Sequence, residues 1–502
     1  MKLENKFTIF IIFLILFLSI GSVSANEDLD SSSLDLNENG DIGLSDNGDT
    51  EDIALLDSIS AADGNDDLES SIEESASSDK LGDSSKTFDD IQSLVESAKD
   101  GDTIYLSGNY TGRNSVNITK SITIDGNGST TIDGKEAMSD SLFYINLNNG
   151  NVTIKGITFV NADVFAILVD SANSISIENC AFKNNSIAVL IESANSTLIR
   201  NCVFDKNHDN YMGIGGSAIH VHAVKSRILN CRFINNYADE YMDSCFSYGQ
   251  GGAIYSDCNY SEINNCSFTS NRAVEYGGAI YEISNQSKIL NCVFKNNTAR
   301  GVDGIDYSTY YCPGGAIYCT SKRLAIANCS FTSNRGSHGG AISYNGNNCT
   351  ITNCVFNNNI ATKGGAIYKP SKTLAEKQQL RISRCNFTDN KASIVGRDVF
   401  GGVCSNCVFN YIKLVSDNRI VKKSARSLNL YVKLTKGKTL LKYKRVVFRF
   451  GGRNYVAKTN YKGIARVTIK RAVIKKLKAG KKYAVKISYY KYSIKRVVKV
   501  RR

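Results

Sequence analysis

The stretch Gly277-Gly278-Ala279-Ile280-Tyr281-Glu282-Ile283-Ser284-Asn285-Gln286-Ser287-Lys288-Ile289-Leu290-Asn291-Cys292-Val293-Phe294-Lys295-Asn296-Asn297 decides the fold. It joins two phrases that keep returning. Ile-x-Asn-Cys-x-Phe-x-x-Asn or a close variant occupies residues 177–185, 199–207, 263–271, 289–297, 326–334 and 351–359, with weaker copies at 231–236, 382–390 and 407–409. Gly-Gly-Ala-Ile occupies 251–254, 277–280, 314–317, 339–342 and 364–367, and 215–219 is a variant with one residue inserted. From motif Ala to the next Cys is 13 residues in five copies, those starting at Ala218, Ala253, Ala279, Ala316 and Ala341. From Cys to the next Ala is 12 or 13 residues in the short copies, but 22 from Cys231 to Ala253 and 24 from Cys292 to Ala316. One arc of the repeat is therefore constant and the other accepts insertions.

A minimal repeat of 25 residues, with short β-branched runs broken by Gly and Asn and no helical period, cannot bury its apolar side alone. Stacked copies can. Strands of successive turns lie ~4.8 Å apart in a parallel coil. The expected class is all-β: a right-handed parallel β-helix with Ile and Phe inside, Asn bridging its equivalents at bends, and Gly where a Cβ would not fit. A leucine-rich horseshoe would need a helical arc that the spacing lacks. The apolar positions Phe88, Ile91, Leu94, Val95 and Ala98 predict a capping helix over the first turn. Residues 102–106, 118–124 and 141–147 read as opening strands.

The flanks are different physical objects. Lys2 and Lys6 precede an apolar run over residues 9–18 and the small residues Val23-Ser24-Ala25, so residues 1–25 are expected to be a signal peptide. The run is shorter than the ~20 residues of a spanning helix, and no membrane span is expected in the mature chain. Residues 26–86 carry 19 acids against 2 Lys and no aromatic side chain, the composition of a disordered acidic linker. Within it Asp35, Asn37, Asn39 and Asp46 have the spacing of a calcium loop. The composition of the segment and its missing helical flanks favour a solvated spacer, so no metal and no cofactor is expected. The coil is assigned to residues 87–411. Residues 410–502 carry 30 bases and 1 acid. Within them 419–502 alternates as a small basic sandwich, with strands at 428–434, 446–450, 465–469 and 483–489.

The paired Phe-x-x-Asn and Gly-Gly-Ala-Ile phrases resemble the repeats of polymorphic membrane proteins. The layout of signal, acidic spacer, pectate-lyase-like coil and basic C-terminal module resembles methanogen adhesin-like proteins. Residues 455–465 and 477–483 are similar to immunoglobulin-like modules of surface proteins. The resemblance implies an exported protein at the cell surface with an adhesive role. Residues 410–502 are too few for a transporter barrel.

Candidate binding residues sit in the two insertions: Tyr237, Asp239, Tyr241, Asp243 and Tyr248 in the first, Asp303, Asp306, Tyr307, Tyr310 and Tyr311 in the second. Tyr beside acids suits stacking on sugar rings while holding their hydroxyls. The bland reading is that the two insertions merely cover one another. Cys245 and Cys312, one in each insertion, are expected to form a disulfide, which export permits. Nine Cys (180, 202, 231, 266, 292, 329, 354, 385 and 407) share one register and read as a column of small buried hydrophobes. A second column, His220, Tyr255, Tyr281, Tyr318, Ser343 and Tyr368, alternates with Ile and is expected outside, as a stabilising stack or a platform. The residue after it (Val221, Ser256, Glu282, Cys319, Tyr344, Lys369) forms no carboxylate stack. The glycosylation strings at Asn265 and Asn328 are expected to be inaccessible in a ladder. The function expected is a surface adhesin or scaffold binding a glycan or protein through the insertion face. Its basic domain would hold an anionic wall polymer, and export makes nucleic acid an unlikely partner. The alternative is a secreted polysaccharide-active enzyme, a lyase or glycoside hydrolase.

Overall fold

The computed structural model describes residues 86–209, 214–239, 249–300, 312–370, 373, 375–376, 379–410, 412–437, 439–490 and 492–502. The signal segment, nearly all of the acidic linker and its calcium-like loop lie outside them. Helix α1 (Phe88–Ser97) opens the described chain, with Thr87 and Asp90 forming a reciprocal capping box. Phe88, Ile91 and Val95 seal the first turn, while Leu94, expected in the same stripe, is 42% exposed. The expected strand over 118–124 is broken. Val116–Ile118 and Thr123–Asp133 are separate strands, with a turn where Lys120 reaches back to the helix carbonyls of Glu96 and Ala98.

From there the chain climbs as a parallel coil. Each full turn has four arcs, shown by residues 254–256, 261–264, Ser267–Thr269 and Arg272–Ala273. Each is paired in parallel with its equivalents above and below: Ile254 with Ile280, Ile263 with Ile289, Phe268 with Phe294 and Ala273 with Ala299. Phe rings from Phe159 to Phe409 stack inside with centroids 4.7–5.1 Å apart, the strand spacing itself. The nine-cysteine column lies beside them. Each thiol donates to backbone carbonyls, as Cys292 Sγ to the carbonyl of Leu290 at 3.0 Å. In five steps it also accepts an amide from the turn before, as from Cys266 N at 3.4 Å. Burial pushes the Cys202 and Cys329 thiols up, so they behave as small apolar groups.

Two Asn ladders mark two corners. The inner one, Asn185 through Asn390, is buried and ends on the carboxylate of Asp398. The outer one includes Asn265 and Asn328, which are exposed, contrary to expectation. These two residues adopt φ of 54° and 56° at an outside bend, and their amides bond neighbours along the surface. At the Gly-Gly corner Gly277 has φ +63°. A Cβ on Gly278 would lie 2.2 Å from the Gly315 carbonyl of the next turn. Only glycine lets the turns close there.

Residues 412–502 form two further sheets around a separate core that includes Val432, Phe448, Ile469 and Val485. One holds Ile412–Val415, Ser427–Lys436, Thr439–Leu440 and Ile464–Lys470. The other runs in the order Arg419–Lys422, Tyr492–Arg501, Lys482–Tyr489, Arg445–Phe450 and Arg453–Lys458. Tyr492 donates to Asp389 at 2.8 Å, tying this unit to the last turns of the coil.

Candidate functional site

Both long insertions use one corner. The described chain runs to Asp239 and to Arg300, and resumes at Gly249 and Cys312. The departure points stack, with Val274 N bonded to Ala238 O and Arg300 N to Ala273 O. The return points stack too, with Gly251 N bonded to Tyr276 O and Gly277 N to Pro313 O. Tyr241, Asp243, Cys245, Tyr248, Asp303, Asp306, Tyr307, Tyr310 and Tyr311 lie outside the described residues. Cys312 is buried, and its amide is held by Ser337 Oγ at 2.8 Å.

Tyr237 and Asp239 are brought together at this corner. The Tyr237 hydroxyl donates to Asp239 Oδ1 at 2.8 Å, and His208 Nε2 lies 3.3 Å from Oδ2. The His208 ring stacks on Tyr237 at 4.6 Å, and the Arg272 guanidinium lies 4.8 Å over the other neighbour position of that ring. His208, Tyr237 and Arg272 occupy equivalent positions on three turns, which is why they meet.

On the adjoining arc the aromatic column lies outside the Ile and Phe core but is not open to water: His220, Tyr318, Ser343 and Tyr368 are buried, and Tyr255 and Tyr281 half-buried. His220 stacks on Tyr255 at 4.3 Å, Tyr255 on Tyr281 at 5.2 Å and Tyr281 on Tyr318 at 5.5 Å, with Tyr276 against Tyr318 at 4.9 Å. These rings spend their faces on one another. The column stabilises the surface and offers no open platform to a sugar ring.

The column after it points into the coil: Ser256, Glu282, Cys319, Tyr344 and Lys369 are all buried. Glu282 accepts from Ser261 Oγ at 3.0 Å and Ser284 N at 3.1 Å, and burial raises its carboxyl. The outward chemistry lies one residue further along. Asp170, Glu192, His222 and Asp257 stand at equivalent positions on four turns, one step beyond the paired Val169, Ile191, Val221 and Ser256. Asp170 Oδ2 accepts from the Tyr144 hydroxyl at 3.0 Å and Asn146 Nδ2 at 2.8 Å. His222 Nε2 lies 3.0 Å from His220 Nε2, and its Nδ1 3.5 Å from Asp257 Oδ2. Glu192 is half-buried and its Oε1 meets no partner. Burial pushes its carboxyl up, His222 opposes this and Asp170 adds to it. His220 is buried with Nδ1 3.0 Å from the Gly215 carbonyl, and burial lowers it to about 3.

The row is hidden in the sequence because the turns over 165–192 lack the Gly-Gly-Ala-Ile phrase that marks the register of the later ones. A spacing signal exists: Asp170, Glu192 and His222 each sit three residues past an aliphatic residue, Ile167, Val189 and Ile219, which pair with one another across turns.

No curated protein matches the chain. Residues 147–368, which contain the insertion corner, the aromatic column and most of the polar row, match the family model described as right handed beta helix region, so the coil is a right-handed β-helix.

Proposed function

We propose that the protein is an exported, adhesin-like scaffold of the cell surface that binds a glycan along one face of its coil. The observation that carries this reading is the outward row from Tyr144 through Asp170, Glu192 and His222 to Asp257. It sets carboxylate acceptors beside amide, phenol and imidazole groups at intervals of ~4.8 Å. Sugar hydroxyls both donate and accept, so a mixed row of this kind suits them better than either charge alone. The corner formed by His208, Tyr237 and Asp239 adds a second group of phenol, imidazole and carboxylate on the arc before the Gly-Gly bend. An immunoglobulin-like C-terminal module and retention at the surface belong to this reading. Among the described residues no helix is long and apolar enough to cross a membrane. A glycan array probed with the full mature chain, repeated with Asp170→Asn, tests it. Loss of a defined uncharged glycan signal in the variant supports the row as the binding surface. Equal signals remove it.

One observation favours a second reading, cleavage of a polysaccharide. Glu192, raised by burial, stands one turn from Asp170, which two donors hold as an acceptor. Equivalent backbone positions on adjacent turns lie about 5 Å apart, and carboxyls held at a similar separation can act with one donating a proton while the other attacks. Release of reducing ends by the wild type and its loss in Glu192→Gln would select the enzyme. Binding without turnover selects the scaffold.

A further inference from the structure

The five-stranded C-terminal sheet has one face on its core and one in water, and the outer face repeats a single charge. Arg449 lies directly opposite Lys486, and Lys486 directly opposite Lys495, so three cations cross the sheet in one row. Lys482 opposes Lys499, and Lys422 opposes Arg501, in neighbouring rows. All seven side chains are exposed, on strand positions that alternate with buried Val421, Phe448, Val485 and Val498. Like charges directly opposite on one face destabilise a sheet. Ordinary surfaces interleave acids to relieve this, and here none is available. The one acid of residues 410–502, Asp417, accepts from Tyr431 on the other sheet. Among the described residues none of the seven makes an ion pair with a carboxylate.

We propose that this face is the docking surface for a linear anionic polysaccharide. The polymer's charges replace the missing acids, and its length matches rows that continue along and across the strands. The inference deepens the surface-protein reading by naming what would hold the protein in place, but the face itself follows from register and charge alone. Two features favour a polysaccharide over a nucleic acid. The strand positions between the cations carry Ile420, Val447, Val456, Ala484, Ser488 and Val497, and the one exposed ring beside them, Tyr490, lies in the hairpin past the Tyr489–Tyr492 pair, too few for a stack of bases. Five of the seven cations are Lys, which act as hydrated point charges rather than as planar forks that grip one phosphate.

The test uses the full chain, with polygalacturonate as the probe, neutral dextran as a blank and polydeoxythymidine as the competing class. The wild type is expected to bind polygalacturonate, with affinity falling steeply as salt rises. The triple variant R449Q/K486Q/K495Q is expected to lose at least tenfold in affinity and to show a shallower salt dependence. R466Q/K470Q, on the other sheet, stays within twofold of wild type. Because neutralising the row removes repulsion, the triple variant should melt no lower than wild type without polymer. A folded triple variant that binds as tightly as wild type, a wild type that does not bind, or tighter binding to polydeoxythymidine would each overturn the assignment. So would a triple variant that melts lower. The coil reading is measured on uncharged glycans with Asp170→Asn, so either can fail without the other.

Discussion

Asn297 donates from Nδ2 to Asn334 Oδ1 on the following turn at 3.0 Å, and neither residue is exposed. Asn297 Nδ2 also donates to the Phe268 carbonyl at 2.9 Å. Its Oδ1 accepts the Asn271 amide and the Asn271 Nδ2, each at 3.0 Å. One side chain thus satisfies groups on two neighbouring turns, and its equivalents repeat this from Asn185 to Asn390.

Asn297→Ala strands a buried carbonyl, a backbone amide and two neighbouring side chains at once. The expected cost is about 2–4 kcal/mol, as for other buried groups left without partners. Asn328→Gly, on the exposed ladder, keeps the positive φ and should cost under ~1 kcal/mol, because water replaces the side-chain bonds that are lost. Urea unfolding of the two variants side by side measures the difference, and equal midpoints would refute the distinction between the ladders.

The thiol column predicts a labelling pattern. Cys202, Cys292 and Cys329 are buried, bonded to carbonyls and raised by burial, so neither access nor thiolate is available. Cys404 is exposed at the end of the coil and Cys407 is half-buried beside it. Iodoacetamide on the folded protein should mark the peptide holding Cys404 and Cys407, while the eight buried members of the column, Cys180 through Cys385, are labelled at least 100-fold more slowly. Peptide mapping with and without urea reads this out. Rapid labelling of Cys292 in the native state would contradict the packed column.

The coil was legible because its period is arithmetic. Thirteen residues from Ala to Cys, repeated, leaves few ways to place Ile280, Cys292 and Phe294, and all three stack as the spacing requires. The polar row was not legible because its register depends on turns with no glycine marker, and because one residue of parity separates buried Glu282 from outward Asp257. The outside bend at Asn265 was misjudged for a related reason. Both corners of the repeat are Asn, and only φ and burial distinguish the one facing in from the one facing out. The charge of the last domain was plain, but its concentration into opposed pairs on one face needed strand pairing.

His220 predicts a pH dependence. Its folded-state value is lowered to about 3 by burial, against an unfolded value near 6.5. Below the unfolded value the unfolded chain holds a proton that the native chain does not. Stability is therefore full above pH 6.5 and falls as pH drops through the window from 6.5 to 3, by roughly 1.4 kcal/mol per unit from this group. Glu282 has the opposite sign: burial raises it, so its contribution falls as pH rises above its unfolded value. Thermal melts from pH 7.5 to 4.5 should show His220→Gln losing less stability on acidification than wild type. Glu282→Gln should gain on wild type as pH rises. Parallel curves for all three would remove both assignments.

The two insertions either carry recognition or brace the coil, and one replacement separates these roles. Ala238, Ala273 and Ala299 are equivalent on three turns. After Ala273 the chain reaches Gly277 through Val274-Glu275-Tyr276 alone, while the other two turns use 12 and 14 residues for the same step. The coil therefore already contains a closure that fits both anchors. Replacing residues 239–250, or 300–313, by Val-Glu-Tyr keeps the in-register bonds on either side. Shortening a loop by two doublings favours folding by about 1.2 kcal/mol through closure entropy, so melting should hold or rise slightly. Glycan binding should drop at least tenfold, because Asp239 and the Tyr- and Asp-rich segments go with the loop. The informative comparison is melting against binding on the same preparation. A variant that binds normally, or one that melts well below wild type, would mean that the insertions cover the coil and read nothing from the surroundings.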